Sequence, residues 1–218
     1  VTIRTLDAGG DKPVPGLTPA GESNPFLGLR GLRLSLAQPD AFRTQLRGLL
    51  RAGATGRLKI MLPMVTAPRE FDAARDICAA VQAELAGSGK ASMDAGFGIM
   101  VETPSAALQP AAFAADFYSI GTNDLVQYVM AAARDIDAVA HLQTPRDPVI
   151  LELIGRVAAA GRARGVEVSV CGEMAAHAAC VPALLDAGIR TFSVPPAAVA
   201  RIKRAVAEHR LSPSAACS

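Results

Sequence analysis

The sequence predicts an α/β fold of parallel strands and crossover helices, with chemistry at the strand ends that favours a (β/α)8 TIM-type barrel over an open doubly wound sheet. Three observations carry the prediction. Short, near-continuous apolar runs alternate with longer segments of helical period. Several of those runs end in charged or reactive side chains, as at the carboxyl-terminal rim of a barrel. No G-x-G-x-x-G or Walker-type loop, the usual mark of an open-sheet phosphate site, is present in the sequence.

The elements follow in order. Residues 1–6 (VTIRTL) are apolar apart from Arg4 and the threonines and lead into Asp7. Residues 11–25 are rich in Pro, Gly and Ser and read as a loop within one domain. Residues 28–34 mix Leu with Gly and Arg and give the weakest strand pattern. Residues 58–65 (LKIMLPMV) give a strong one. Pro68 then opens a helix whose Phe71, Ala74, Ile77, Val81 and Leu85 recur at helical spacing until Gly87. Strands at 98–101 and 117–121 run into Glu102 and into Asn123 and Asp124. Pro148 opens a second helix, marked by Ile150, Leu153, Ile154 and Val157 and closed by Gly165. The strand at 166–170 ends on Cys171, and Gly188 precedes the last strand at 191–194. Strands so separated pair in parallel through right-handed crossovers. Residues 1–210 form one expected domain, and 211–218 an expected frayed tail.

Composition narrows the function. Half of the 218 residues are apolar and 19% are charged, enough to bury a core, which excludes a disordered chain or a disulfide-stapled miniprotein. Twenty-two Lys and Arg against twenty Asp and Glu leave +2, so neither nucleic acid nor anionic lipid is an expected partner and anion binding must be local. With no run of about 18 apolar residues and no signal-like start, the reading is a cytoplasmic protein without membrane insertion. Cys78, Cys171, Cys180 and Cys217 have no metal-type spacing and read as reduced thiols.

The candidate site gathers the strand-end residues. Glu102 and Asp124 each follow a buried strand; brought together, two carboxylates suit Mg²⁺, while singly each suits a helix cap or first-turn acid equally well. Arg4, Arg30 and Arg134 can hold phosphate and carboxylate groups through planar forks. Arg134, in an Ala-rich segment, reads by itself as a solvated helix face. Arg4, inside an apolar strand, requires a polar cavity or an acid such as Asp7. Cys171 reads either as a small buried hydrophobe or as a proton donor, since a thiol titrating near about 8.5 is protonated at neutral pH. His141, His177 and His209 are isolated and carry no assigned chemistry.

The segments RTLDAGGDK, NPFLGLRGLR, KIMLPMV, GIMVETPSAAL, FYSIGTNDLVQY and VCGEMA, in this order, closely resemble the phosphoenolpyruvate-binding domain of enzyme I of the bacterial sugar phosphotransferase system. The resemblance implies a (β/α)8 barrel that binds phosphoenolpyruvate and Mg²⁺, releases pyruvate and forms a homodimer. The phosphoryl group passes to a histidine on another domain and then to a histidine phosphocarrier protein for sugar uptake. By position, Glu102 and Asp124 match the Mg²⁺ ligands, Arg4, Arg30 and Arg134 the phosphate-holding arginines, Asn123 a substrate contact, and Cys171 the proton donor.

The sequence departs from the family in three places: Ala132 and Ala133 precede Arg134 where an acid is usual, Gln143 stands where an aromatic is common, and SVPPAAVA follows the last strand where Ser is usual. The family's phosphoacceptor motif has no counterpart here. Its first barrel strand is expected before Val1, which leaves seven of eight. The alternatives are the barrel of a pyruvate phosphate dikinase or phosphoenolpyruvate synthase relative, and a non-catalytic dimerisation module.

Overall fold

The computed structural model describes residues 1–10 and 12–209; the tail expected at 211–218 lies outside them. The chain divides into two compact units, one of Val1–Met100 with Phe113–Asp116, the other of Val101–Ala112 with the chain from Phe117 onward.

In the first unit the order is β1 (Thr2–Arg4), α1 (Leu32–Ala37), α2 (Pro39–Gly53), β2 (Lys59–Leu62), α3 (Pro68–Gly87) and β3 (Gly96–Val101, whose last residue belongs to the second unit). β2 is central and parallel to both neighbours: Ile3 pairs with Ile60, and Ile60 with Phe97. α3 begins as its sequence demands. Pro68 occupies the first turn, and the Glu70 carboxylate accepts from the backbone N–H groups of Ala67 and Thr66 at 2.9 and 2.8 Å. Phe71, Ala74, Val81 and Leu85 on its inner face are at most 2% exposed, and the Phe71 ring packs on Phe97 and, edge-on, on Phe113.

The second unit runs α4 (Pro104–Leu108), β4 (Phe117–Gly121), α5 (Thr122–Val129), α6 (Pro148–Arg164), β5 (Glu167–Cys171), α7 (Glu173–Ala176), α8 (Val181–Asp186), β6 (Thr191–Phe192) and α9 (Val199–Glu208). β5 is central, parallel to β4 with Cys171 opposite Gly121, and to β6 with Val170 opposite Phe192. The Asp147 side chain caps α6 by accepting from Val149 N–H, and Gly165 at φ 64° ends it in the left-handed conformation. Each unit repeats parallel strand and helix, so the chain is α/β of the TIM-barrel type, with six strands among the described residues where a whole barrel has eight.

Two expectations are corrected. Residues 28–34 form no strand: Gly31 at φ 57° turns the chain, α1 starts at Leu32, and Arg30 before the turn is fully buried. The expected count of seven strands therefore falls to six. Arg134 does not lie on a helix face. α5 ends at Val129, Ala131 takes φ 51° where Gly is usual, and Ala132 N–H donates back to the Gln127 carbonyl at 3.1 Å, closing a Schellman-type stop.

Candidate active site

In the first unit the site residues follow β1. Arg4 is the last residue of that strand, and one of its guanidinium nitrogens lies 3.6 Å from the Met100 sulfur and 3.6 Å from Asp7 Oδ2. Lys12 Nζ and Arg30 Nη2 each lie 3.3 Å from the same Asp7 oxygen. Burial pushes the Asp7 carboxyl upward, but Arg30, Arg4 and Lys12 outweigh it and hold the group below the ordinary carboxylate range. The Arg30 guanidinium also lies over the Phe26 ring, 5.9 Å from its centre. Arg4 thus has the acidic partner that its place in a strand required. Lys12, which the sequence reading passed over, belongs to the same cluster.

In the second unit the remaining candidates follow the carboxyl ends of β3, β4 and β5. Glu102, directly after β3, is 1% exposed, and the Thr103 hydroxyl next to it caps α4, accepting from Ala106 N–H at 3.3 Å. Asp124, 6% exposed, is a first-turn acid of α5, a helix with no side-chain cap. Arg134 reaches Asp124 at 4.0 Å, and its own N–H donates to Gln127 Oε1. The Gln143 amide donates to the Ala132 carbonyl and so braces the loop that carries Arg134. Thr122, Asn123, Arg134, Gln143, Glu173 and Met174 line a cavity of about 240 Å³.

Cys171 is the last residue of β5 and is partly exposed. Its thiol faces the Ile120 carbonyl at 3.4 Å, and the Ser119 hydroxyl donates to the sulfur at 3.6 Å. Ser119, 5% exposed in the middle of FYSIG, is a contact the sequence reading missed; a polar residue inside a fully buried strand was the available signal. Beyond Cys171 the chain is pinned: Thr122 Oγ1 donates to the Cys171 carbonyl at 2.9 Å, and Asn123 Oδ1 accepts from Glu173 N–H at 2.9 Å. Gly172 between them sits at φ 91°, and an added Cβ would lie 2.5 Å from Thr122 Oγ1 and 2.7 Å from Asn123 Oδ1. Gly172→Ala is therefore expected to destabilise the protein by about 1–3 kcal/mol through backbone strain alone, measured by denaturant unfolding.

The donor chemistry fits a hard divalent ion. Glu102 and Asp124 are buried carboxylates of one unit, 1% and 6% exposed. Among the described residues no three His, Cys, Asp or Glu side chains group as a full metal cage would. Two carboxylates with room for water and substrate oxygens is the set that Mg²⁺ takes. Cys78 and Cys180 are buried, which raises both thiols, Cys78 to about 11. Cys217 lies outside the described residues. Of the histidines, His209 pairs with Asp186 at 3.0 Å, and His141 and His177 are exposed.

The family described as PEP-utilising enzyme, PEP-binding domain, matches residues 1–211. Phosphoenolpyruvate-protein phosphotransferases are similar along most of the chain. That of Staphylococcus carnosus is 45% identical, over 94% of this chain and 36% of its own length. Those of Listeria monocytogenes and Bacillus subtilis are 48% identical over 89% of this chain and 34% and 35% of theirs. The chain thus spans about a third of the length of these relatives. A citrate lyase from Burkholderia xenovorans superposes with a TM-score of 0.55 at 22% identity, over 75% of this chain and 53% of that one, a likeness of fold. By the match along its length and by these identities, the chain belongs to the family of PEP-utilising enzymes, as their PEP-binding domain.

Proposed function

We propose that this chain is the substrate- and Mg²⁺-binding part of a phosphoenolpyruvate-protein phosphotransferase. In this reading a histidine on another domain takes the phosphoryl group and passes it to a histidine phosphocarrier protein for sugar uptake, with the parent working as a cytoplasmic homodimer. The observation that carries the proposal is the pair of buried carboxylates Glu102 and Asp124 at strand ends, in the same unit as a partly exposed thiol held by Ser119. The similarity to phosphoenolpyruvate-protein phosphotransferases supports it.

The residues take roles by their chemistry. Glu102 and Asp124 hold Mg²⁺, which when bound supplies a hard positive centre for the substrate's phosphate and carboxylate oxygens. Arg4 and Arg134, both partly exposed, offer guanidinium forks to those anionic groups, and Asn123 adds a polar contact from the rim of the cavity. Arg30, buried against Asp7, adds positive charge to the cluster that includes Arg4. Phosphoryl departure breaks the P–O bond and leaves its electron pair on the enolate oxygen; the phosphoryl forms a bond to the histidine nitrogen. The Cys171 thiol then donates its proton to the enolate methylene carbon, giving the pyruvate methyl group, and the thiolate regains a proton from solvent. Positioning and electrostatics dominate such a transfer, which matches a site made of charged groups on strand ends.

Isothermal titration of phosphoenolpyruvate into the folded chain tests the proposal. Binding that requires Mg²⁺ is expected. A folded sample that takes up no phosphoenolpyruvate with Mg²⁺ present would overturn it.

A further inference from the structure

We infer that Asp7 is a positioning residue of the anion site: its carboxylate fixes the head groups of Arg4 and Lys12, so substrate affinity depends on a negative charge that itself repels the substrate. The inference rests on the proposed phosphoenolpyruvate site.

The geometry is that of a hub. Asp7 Oδ2 takes Arg4 at 3.6 Å, Lys12 at 3.3 Å and Arg30 at 3.3 Å, and Oδ1 takes Arg30 again at 3.4 Å. The three cations come from a strand end, the loop after it and the turn before α1; backbone bonds between Gly9 and Lys12 and from Gly31 N–H to the Ala8 carbonyl bring the segments together, and Asp7 is the acceptor their head groups share. The hub has a buried base and exposed arms. The Asp7 and Arg30 side chains are 2% and 1% exposed, whereas those of Arg4 and Lys12 are 38% and 45% exposed. A guanidinium carries five N–H donors and an ammonium three, so after bonding Asp7 each arm keeps donors for a ligand.

The backbone is shaped to the pair at the base. Gly9 at φ 101° passes so close that an added Cβ would lie 2.7 Å from Arg30 Cβ, and one on Gly31 would lie 3.3 Å from Asp7 Oδ1.

Charge and geometry predict opposite signs. The cluster sums to +2, three cations and one carboxylate. As a pool of positive charge alone, it would reach +3 in Asp7→Asn and attract a phosphate more strongly. As a fixed constellation it would lose the anchor of both arms, and their freedom must then be restricted at each binding event. The positioning role therefore predicts weaker binding from a variant that is more positive.

The test is titration of phosphoenolpyruvate with Mg²⁺ into the wild-type chain, Asp7→Asn and Asp7→Glu, with circular dichroism to confirm folding. Asp7→Asn is expected to bind about tenfold more weakly or worse, and Asp7→Glu, which keeps the charge one methylene away, to recover part of the loss. Equal or tighter binding by folded Asp7→Asn overturns the inference. Where Asp7→Asn does not fold, Asp7→Glu decides: a loss of about threefold or more supports the role, and wild-type affinity overturns it. A wild-type chain that binds no phosphoenolpyruvate instead defeats the proposed site, and the inference with it, a result distinct from a binding wild type with an indifferent Asp7.

Discussion

Glu102→Gln is expected to lower Mg²⁺-dependent phosphoenolpyruvate affinity by about 100-fold or more, on the order of 3 kcal/mol at about 1.4 kcal/mol per decade. The substitution keeps the shape of a side chain that is 1% exposed and removes only its charge and one acceptor. The loss comes from the ion: Mg²⁺ gives up hydration reluctantly, and a neutral amide oxygen replaces one of two carboxylates that make its capture favourable. The same change measured without ligand reads what Glu102 contributes to the fold apart from what it contributes to binding. A structural role for Glu102 predicts a drop in stability with affinity intact. Titration of phosphoenolpyruvate with Mg²⁺, beside thermal unfolding without it, separates the two, and an affinity within about threefold of wild type would end the metal role.

That Glu102 was visible in the sequence at all reflects how parallel strands are buried. GIMV and FYSIG are apolar almost throughout because both faces of such a parallel strand are buried, so the first charged residue past each run marks the strand's carboxyl end. Glu102, Asp124 and Cys171 stood out for that reason. Whether the two acids were caps was not legible, since it depended on Thr103 capping α4 and on α5 having no side-chain cap at all.

The misread elements had non-local causes. Residues 28–34 have the Leu content of a strand, but Arg30 is drawn inward by Asp7, 23 positions earlier, and the chain turns at Gly31. The Ala-rich stretch before Arg134 has high helix propensity, yet Ala131 accepts a left-handed conformation while Gln143, eleven positions beyond Ala132, holds the resulting loop. Lys12 and Ser119 were missed because each derives its place from a partner, Asp7 in one case and Cys171 on the adjoining strand in the other.

Cys171→Ala is expected to separate binding from proton transfer. With pyruvate and Mg²⁺ in heavy water, a thiol that delivers a proton to the enolate carbon must also run backwards. The thiolate takes a proton from the pyruvate methyl group, exchanges it with solvent and returns deuterium. This exchange needs no phosphoryl acceptor, so the chain itself suffices for the measurement. Loss of a placed general acid costs about 10²–10⁴-fold, and the exchange rate, followed by proton NMR, should fall by that factor in Cys171→Ala. Phosphoenolpyruvate affinity should stay within about threefold, because Glu102, Asp124 and the arginines are untouched.

A Cys171 that merely packs predicts something else. Removing one sulfur from a partly exposed site would leave exchange unchanged and cost about 1 kcal/mol of stability. Ser119→Ala supplies the intermediate case. Its hydroxyl donates to the Cys171 sulfur at 3.6 Å while the thiol donates to the Ile120 carbonyl at 3.4 Å, so Ser119 helps to fix where the thiol points and stabilises the thiolate left after proton transfer. Its loss should slow exchange by about tenfold, at the scale of one hydrogen bond to a charged group, without abolishing it. Exchange that survives Cys171→Ala at the wild-type rate would move the proton donor elsewhere and leave the thiol a neighbour of the reaction.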